Sequence, residues 1–368
     1  MILDPIGTLI SLLTAFGIAA MIALSLNLEY GLGGIPNFGQ ALFVSIGAYT
    51  AGVTYTRLLP LLAGQPVIDP CGPAMNDALQ LRTEILRTLP AVGLTNFFVT
   101  LLIAAALGGL VGYLASYPAL RLKDEWFLGL VLLASSEVVR IVVRGAEPVI
   151  CAHNGLSGLS QPFAFLPTAP FRALAFAGLT LLAAALCYAF AQRLARSPYG
   201  RMLKAMRENS DVAAALGKPM ARTRASVMVV GSAMAAVAGV FFVTNIGFAS
   251  ANDYGVGLTL DIWVMIVLGG LGNLRGALLG AAIITLLDRA TAIAAIQANM
   301  LGSQFDFTYA RYILFALILL GMLRYRRQGL LPERLDTTGA GKLLAGLRRV
   351  EPAPQEAAAQ KATVKPHA

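Results

Sequence analysis

Glu137 and Arg140 stand three residues apart inside a strongly apolar run, a spacing that puts both side chains on one helix face. Ionisable groups at such depth are costly and mark function or mutual neutralisation. The pair is therefore either a self-satisfied ion pair that orients its helix or a polar gate on a translocation route. Arg144 continues that face one turn further. Two Gly-rich stretches carry a second kind of chemistry. GGIPNFGQAL (33–42) combines Pro36 with clustered glycines and must interrupt a helix, and GGLGNLRGAL (269–278) matches it at both glycines, at Asn37/Asn273 and at the closing Ala-Leu. Backbone freed in this way faces either protein or a water-filled cavity. The candidate pathway residues are accordingly Asn37, Gly39, Gln40, Glu137, Arg140, Asn154, Gly270 and Asn273, with close helix packing as the competing explanation of the glycines.

Catalytic chemistry is poorly supplied. No histidine, cysteine or serine has a placed base, and GKP (217–219) and GKL (341–343) lack the remainder of a phosphate-binding loop. His153 and His367 are the only histidines and no cysteines are spaced as metal ligands, so neither a metal nor a cofactor is implied. Cys71 and Cys151 fall in two loops expected on the same side, where they are either bonded to each other or both free. Cys187 lies in an apolar span.

The elements that must position these residues are membrane helices. Hydrophobic residues make up 57% of the 368, charged residues 13%, and mean hydropathy is +0.71. Continuously apolar runs, each near the length that crosses a bilayer, predict an all-α polytopic membrane protein and exclude a barrel. The expected spans are 6–27, 35–57, 94–118, 126–143, 173–192, 225–248, 258–271, 275–288 and 308–323. This gives nine, within a range of eight to ten, because the short pair around 258–288 is either two spans or one re-entrant hairpin. The domain expectation is a membrane body over 1–327 and a cytoplasmic, largely disordered Ala/Pro/Lys-rich tail over 328–368. Within that tail, 340–349 is a short amphipathic piece suited to the inner leaflet.

Residues 197–217, SPYGRMLKAMRENSDVAAALG, form a polar interlude between apolar spans. Ser197 suits an N-cap, Pro198 the first helical position, and Gly217 a left-handed C-terminal cap ahead of Pro219. The segment 193–224 holds eight basic residues against Glu208 and Asp211, and the tail from Arg324 holds nine against four acids. Both are expected in the cytoplasm. The net charge of +9 is thus a topology signal, and nucleic-acid binding is not implied. A capped basic helix on that side is a surface for another protein, with Arg201, Lys204, Met206, Arg207, Glu208, Asn209, Ala213 and Gly217 as its candidate contact and shaping residues.

Several blocks together resemble the permease subunits of branched-chain amino acid ABC importers, the LivM type. They are Asn27, Gly31, Gly39, Gly47, Ala48 and Tyr49 within 24–52, the Glu–x–x–Arg run of 121–144, NGLSGL (154–159), the segment 197–217, and IVLGGLGNLRGALLGA (266–281). Gln40 stands where that family usually has histidine, and the external loop 58–93 is longer than the family leads one to expect. The resemblance implies a type II importer-like permease fold. It further implies docking of 197–217 into a cleft of an ATPase, with Met202, Leu203 and Met206 as an apolar anchor. The implied partners are two ATP-hydrolysing subunits, a second permease chain and a periplasmic or extracellular solute-binding protein. On this reading the chain is a non-enzymatic translocation subunit in the cytoplasmic membrane of a bacterium or archaeon. A urea or short-amide permease shares much of the pattern, and an ion-coupled secondary transporter is the alternative from another class.

Overall fold

The computed structural model describes residues 4–121, 125–146, 150–300, 307–326 and 328–333. Helix α1 (Pro5–Leu26) begins where Asp4 Oδ1 accepts the Ile6 N–H at 3.1 Å and Pro5 fills the first helical position. It widens into a π-helical stretch over Asn27–Leu32 and stops at Gly33–Gly34. After the break comes α2 (Gln40–Val53), which ends in a second π stretch, Thr54–Leu58, and a single turn, α3 (Leu59–Leu62). The expected span 35–57 is therefore shortened at its start, because Pro36 and the surrounding glycines hold 35–39 out of the helix.

The loop expected over 58–93 contains a helix of its own, α4 (Met75–Thr88). Then follow α5 (Pro90–Arg121), α6 (Glu125–Gly145), α7 (Ala169–Arg196), the short α8 (Pro198–Glu208) and α9 (Ser210–Ala215), and α10 (Met220–Ile246). Last come α11 (Val256–Gly269), α12 (Leu274–Met300) and α13 (Phe307–Tyr325). Among the described residues six helical stretches are long and apolar enough to cross a membrane: Pro5–Leu32, Pro90–Pro118, Trp126–Gly145, Ala169–Arg196, Met220–Ile246 and Leu274–Ala295. Val256–Gly269 and Ile313–Met322 are apolar but shorter. The molecule is thus a mostly helical, multi-pass membrane protein.

α10 is the central post, packed on α5, α2 and α1. Small residues let it sit close: a Cβ on Gly47 of α2 would lie 1.8 Å from the Ala236 carbonyl oxygen, and one on Gly239 would lie 2.0 Å from that of Val44. With 27 residues, α10 is about 40 Å long and separates two ends of the protein. At one end α8 and α9 meet the first Gly-rich break, and the α11–α12 turn meets the chain after α13. Leu330 and Leu331 donate N–H bonds to the carbonyls of Leu268 and Gly269 at 3.0 and 2.9 Å, and the body runs to Pro332 rather than ending at 327. The amphipathic piece expected at 340–349 lies outside the described residues.

At the other end β1 (Leu156–Ser157) pairs antiparallel with β2 (Phe248–Ala249), and Cys71 is bonded to Cys151 across 80 residues of chain. The bond settles the choice between paired and free thiols, and ties the helix-bearing insertion to the NGLSGL loop. For a loop of this length the chain-entropy estimate is about 4 kcal/mol, an upper bound for a bundle whose helices stay threaded through a bilayer. Non-reducing peptide mapping should recover a 71–151 cross-linked peptide. Cys71→Ser should lower the thermal midpoint and expose 63–89 to protease, whereas an unchanged digestion pattern would show that other contacts hold the insertion.

A capped hairpin fastened to a buried helix break

The local chemistry of 197–217 forms as its residue types require. Ser197 Oγ accepts the Gly200 N–H at 3.3 Å, and Pro198 opens α8. Asn209 ends α8 in an extended conformation and starts α9, its Oδ1 accepting from Asp211 and Val212 at 3.1 and 3.0 Å. Gly217 closes the hairpin at φ +75°, with Gly217 N–H on the Ala214 carbonyl and Lys218 N–H on that of Ala213.

The orientation differs from expectation. Leu203, Met206 and Ala213 are buried against the protein's own body, so Leu203 and Met206 anchor the hairpin inward and are not offered to a partner. Arg201, Glu208 and Asn209 are exposed, Lys204 is half-buried, and the apolar side chains that do face outward are Val212 and Leu216. Arg207 also turns inward. Its Nη1 donates to the Gly31 carbonyl, and its side chain packs on Gly34, where φ is +71°. Tyr199 Oη completes the attachment through Ser226 Oγ at 2.5 Å.

The break that Arg207 touches is held by a sealed polar network. Asn37 Nδ2 donates to Glu29 Oε2 at 2.7 Å and to Gln40 Oε1 at 3.0 Å, while Asn37 Oδ1 accepts the Gly39 N–H at 2.9 Å. Gln40 Nε2 reaches Ser25 Oγ at 2.7 Å, and Ser25 in turn donates to the Gly231 carbonyl on α10 at 2.7 Å. Ser232 Oγ donates to Glu29 Oε1 at 3.4 Å. Ser25, Glu29, Asn37 and Gln40 are all buried without exposed surface, and among the described residues no basic side chain pairs with Glu29. Glu29 is thus a further acid inside an apolar helical stretch, beside Glu137, in a run that also holds Asn27 and Gly31. Asn37, Gly39 and Gln40 do come together as expected, but as packed structure rather than cavity lining.

The remaining pathway candidates separate. Glu137 Oε2 accepts from Arg140 Nε and Nη2, both at 2.7 Å, while its Oε1 accepts the Val256 N–H at 3.2 Å and so caps α11. The pair thereby ties α6 to the start of α11. Asn154 is exposed in a 3-10 turn beside β1. Gly270, at φ +120°, packs on Leu331 and Gly329. Asn273 caps α12 through the Arg275 N–H at 3.0 Å, and its Nδ2 reaches the Leu331 and Pro332 carbonyls. None of the eight lines the cavity of about 450 Å³ formed by α1, α10, α11 and α12, where Asn245, Asn252, Asp253, Asp261 and Asp288 supply the polar groups. No motif spacing pointed to these five. Among the described residues no cluster suits a metal.

Residues 8–323 match the model of the family described as branched-chain amino acid transport system, permease component. The chain belongs to that family. It is similar to the probable branched-chain amino acid transport permease protein LivM of Methanocaldococcus jannaschii, with 34% identity over 87% of this chain and 92% of the relative. The high-affinity permease protein LivM of Escherichia coli is 25% identical over 85% of this chain and 67% of its own. More distantly, the autoinducer 2 import system permease protein LsrC of Klebsiella pneumoniae is 31% identical over 50% of this chain and 52% of its own. No solved structure matches. As a permease of this family the chain is a transport component rather than an enzyme.

Two consequences of the packing are measurable. Gly34→Ala meets both a left-handed backbone and Arg207 at 2.9 to 3.2 Å, whereas nothing lies within 4 Å of a Cβ at Gly217. The left-handed backbone costs both variants about 1–2 kcal/mol, so the Arg207 contact is what should make thermal unfolding shift more for Gly34→Ala than for Gly217→Ala. Equal shifts would refute the Arg207 contact. Glu29→Ala leaves one Asn37 donor unanswered in a new cavity and should lose about 2–4 kcal/mol. Glu29→Gln, with the same shape and an acceptor for Asn37, should retain most of the midpoint.

Proposed function

We propose that this chain is the membrane-spanning permease subunit of an ATP-driven importer for branched-chain amino acids. The observation that carries the reading is the family match over 8–323, extended by whole-length similarity to permeases whose names specify those amino acids. The protein adds a mechanical fit. An exposed surface of Arg201, Glu208, Val212 and Leu216, with the half-buried Lys204, suits a cleft in an ATPase subunit, and Arg207 links that surface to the helix break.

The proposed topology has nine crossings, by α1, α2, α5, α6, α7, α10, α11, α12 and α13, in a type II importer-like arrangement. The hairpin 197–217 and the C-terminus lie in the cytoplasm, in keeping with their basic residues. The insertion 58–93 and the NGLSGL loop face outward, where a disulfide persists. The working assembly is two ATPase subunits, this permease, a second permease chain and an external solute-binding protein, in a bacterial or archaeal cytoplasmic membrane.

Uptake of labelled leucine, competed by valine or urea, tests the reading in cells with and without the chain. Loss of leucine uptake without the chain, with valine competing and urea not, is the expected result, as is loss on ablating the partner ATPase. Uptake that survives removal of the ATPase would overturn the ATP-driven mechanism. Unchanged leucine uptake beside lost urea uptake would move the substrate to amides.

A further inference from the structure

The external insertion builds one wall of a second cleft, of about 280 Å³, to which neither the family nor the motifs assign a role. It opens between α4, the chain after β1, the first turn of α7 and the last turn of α10. Thr83, Arg87, Ser160, Gln161, Arg172 and Asn245 supply its polar lining, and no carboxylate lines it. Arg87 is exposed and makes no hydrogen bond or ion pair with the described residues. Arg172 is held at the rim by Nε on the Leu166 carbonyl at 2.6 Å and Nη2 on that of Pro167 at 3.4 Å, which fixes its guanidinium and leaves its other N–H groups for a ligand.

A third arginine sits beneath. Arg82 is 2% exposed, and its Nη2 donates to the Ser157 carbonyl at 3.1 Å, while Nε and Nη1 have no partner among the described residues. It thereby bridges the two walls of the cleft, since Thr83 follows it in α4 and Ser160–Gln161 follow Ser157 in the loop. Burial pushes its pKa down to about 10, which leaves it a cation at neutral pH. A buried guanidinium with two unanswered nitrogens and no carboxylate paired with it among the described residues is an expensive arrangement to keep. It raises the positive potential of the site above it.

We infer that this cleft binds the carboxylate of the transported amino acid, with Arg87 and Arg172 as direct donors and Arg82 as the positioning residue that holds both walls. Planar guanidinium groups suit a carboxylate through paired, charge-assisted hydrogen bonds. The neighbouring cavity of about 450 Å³ shares Asn245 and Ile246 with the cleft and is lined by Asp253, Asp261 and Asp288. A basic cleft beside an acidic cavity matches a small zwitterion, which offers one charge of each sign. The inference rests on the amino acid reading above and adds where the substrate is first held.

The test uses the intact complex in nanodiscs and the arginine reagent phenylglyoxal, with labelling at Arg87 and Arg172 followed by mass spectrometry. Leucine should slow labelling of both roughly tenfold, and leucinamide, which keeps the ammonium but lacks the carboxylate, should not. In proteoliposomes, Arg87→Gln with Arg172→Gln should raise the leucine concentration for half-maximal uptake roughly tenfold, with lysine at both positions recovering part of the loss. Docking of the substrate-free binding protein should be unchanged. Equal shielding by leucine and leucinamide, or no shielding by either, would overturn the site. Shielding only by the substrate-free binding protein would also overturn it, by assigning the arginines to a carboxylate of that protein. A complex that imports no branched-chain amino acid yet shows leucine shielding would sink the importer reading and keep the site.

Discussion

Backbone released from a helix inside an apolar medium must find its partners within the protein, and the break at 33–39 is where this constraint presses hardest. The π-helical stretch ahead of it meets part of the demand: the N–H groups of Gly33, Gly34 and Ile35 return to the carbonyls of Leu28, Tyr30 and Glu29. Pro36 has no N–H to satisfy. Gly39 donates to Asn37, the Asn37 carbonyl accepts from Trp263 Nε1 at 3.2 Å, and the Gly31 carbonyl accepts from Arg207. Arg207 and Trp263 bring in α8 and α11, and the bonds of Ser25 to Gly231 and of Ser232 to Glu29 bring in α10, so three elements are located by one interrupted helix. Phe38 stacks on Trp263 with ring centroids 4.4 Å apart and shields the network on that side.

The second Gly-rich stretch solves the same problem in the same way. Gly34 and Gly270, matched in sequence, both adopt positive φ, and Asn37 and Asn273 both accept the N–H two residues on. In each case a helix ends on glycine and an asparagine side chain holds the following turn, Asn273 as the cap of α12 and Asn37 two residues ahead of Gly39, the residue before α2. The likeness is therefore conformational as well as compositional. Asn27 Oδ1 accepts the Gly272 N–H at 3.0 Å, which places the two breaks against each other at one end of the molecule. Helix pairs broken at the same end are parallel rather than inverted in their arrangement, unlike many transporter repeats.

What was legible in the sequence was chiefly local. Ser197, Pro198, Asn209 and Gly217 could be read because a cap is decided by a few neighbouring residues and their backbone angles. The apolar runs were legible for the same reason, apart from 35–39, where Pro36 outweighs hydropathy. Whatever depended on contacts distant in sequence was not. Cys71 and Cys151 could only be left open, since pairing across 80 residues is a property of the fold. The resemblance implies Met206 as an anchor for a partner, but an apolar side chain on a short helix does not say what covers it, and here the protein's own body does. Glu29 escaped notice since its stabilising partners, Asn37 and Ser232, lie 8 and 203 residues away.

The attachment of α8 also limits how a force applied to it can travel. Arg207 on Gly31, Tyr199 on Ser226, and the buried Leu203 and Met206 fasten the hairpin at separate points, so it cannot slide without dragging the break and the start of α10. At its far end α10 leads into Gly247, whose carbonyl receives the N–H groups of Gly158 and Leu159, and into the β1–β2 ladder. Between these points the backbone-to-backbone packing at Gly47 and Gly239 leaves no slack to absorb a displacement. The basic hairpin is thus joined through one close-packed post to the loop that walls the arginine cleft. Close-packed helices of this kind respond by discrete rigid-body shifts rather than gradual deformation, and a two-position response is what an importer driven in cycles requires.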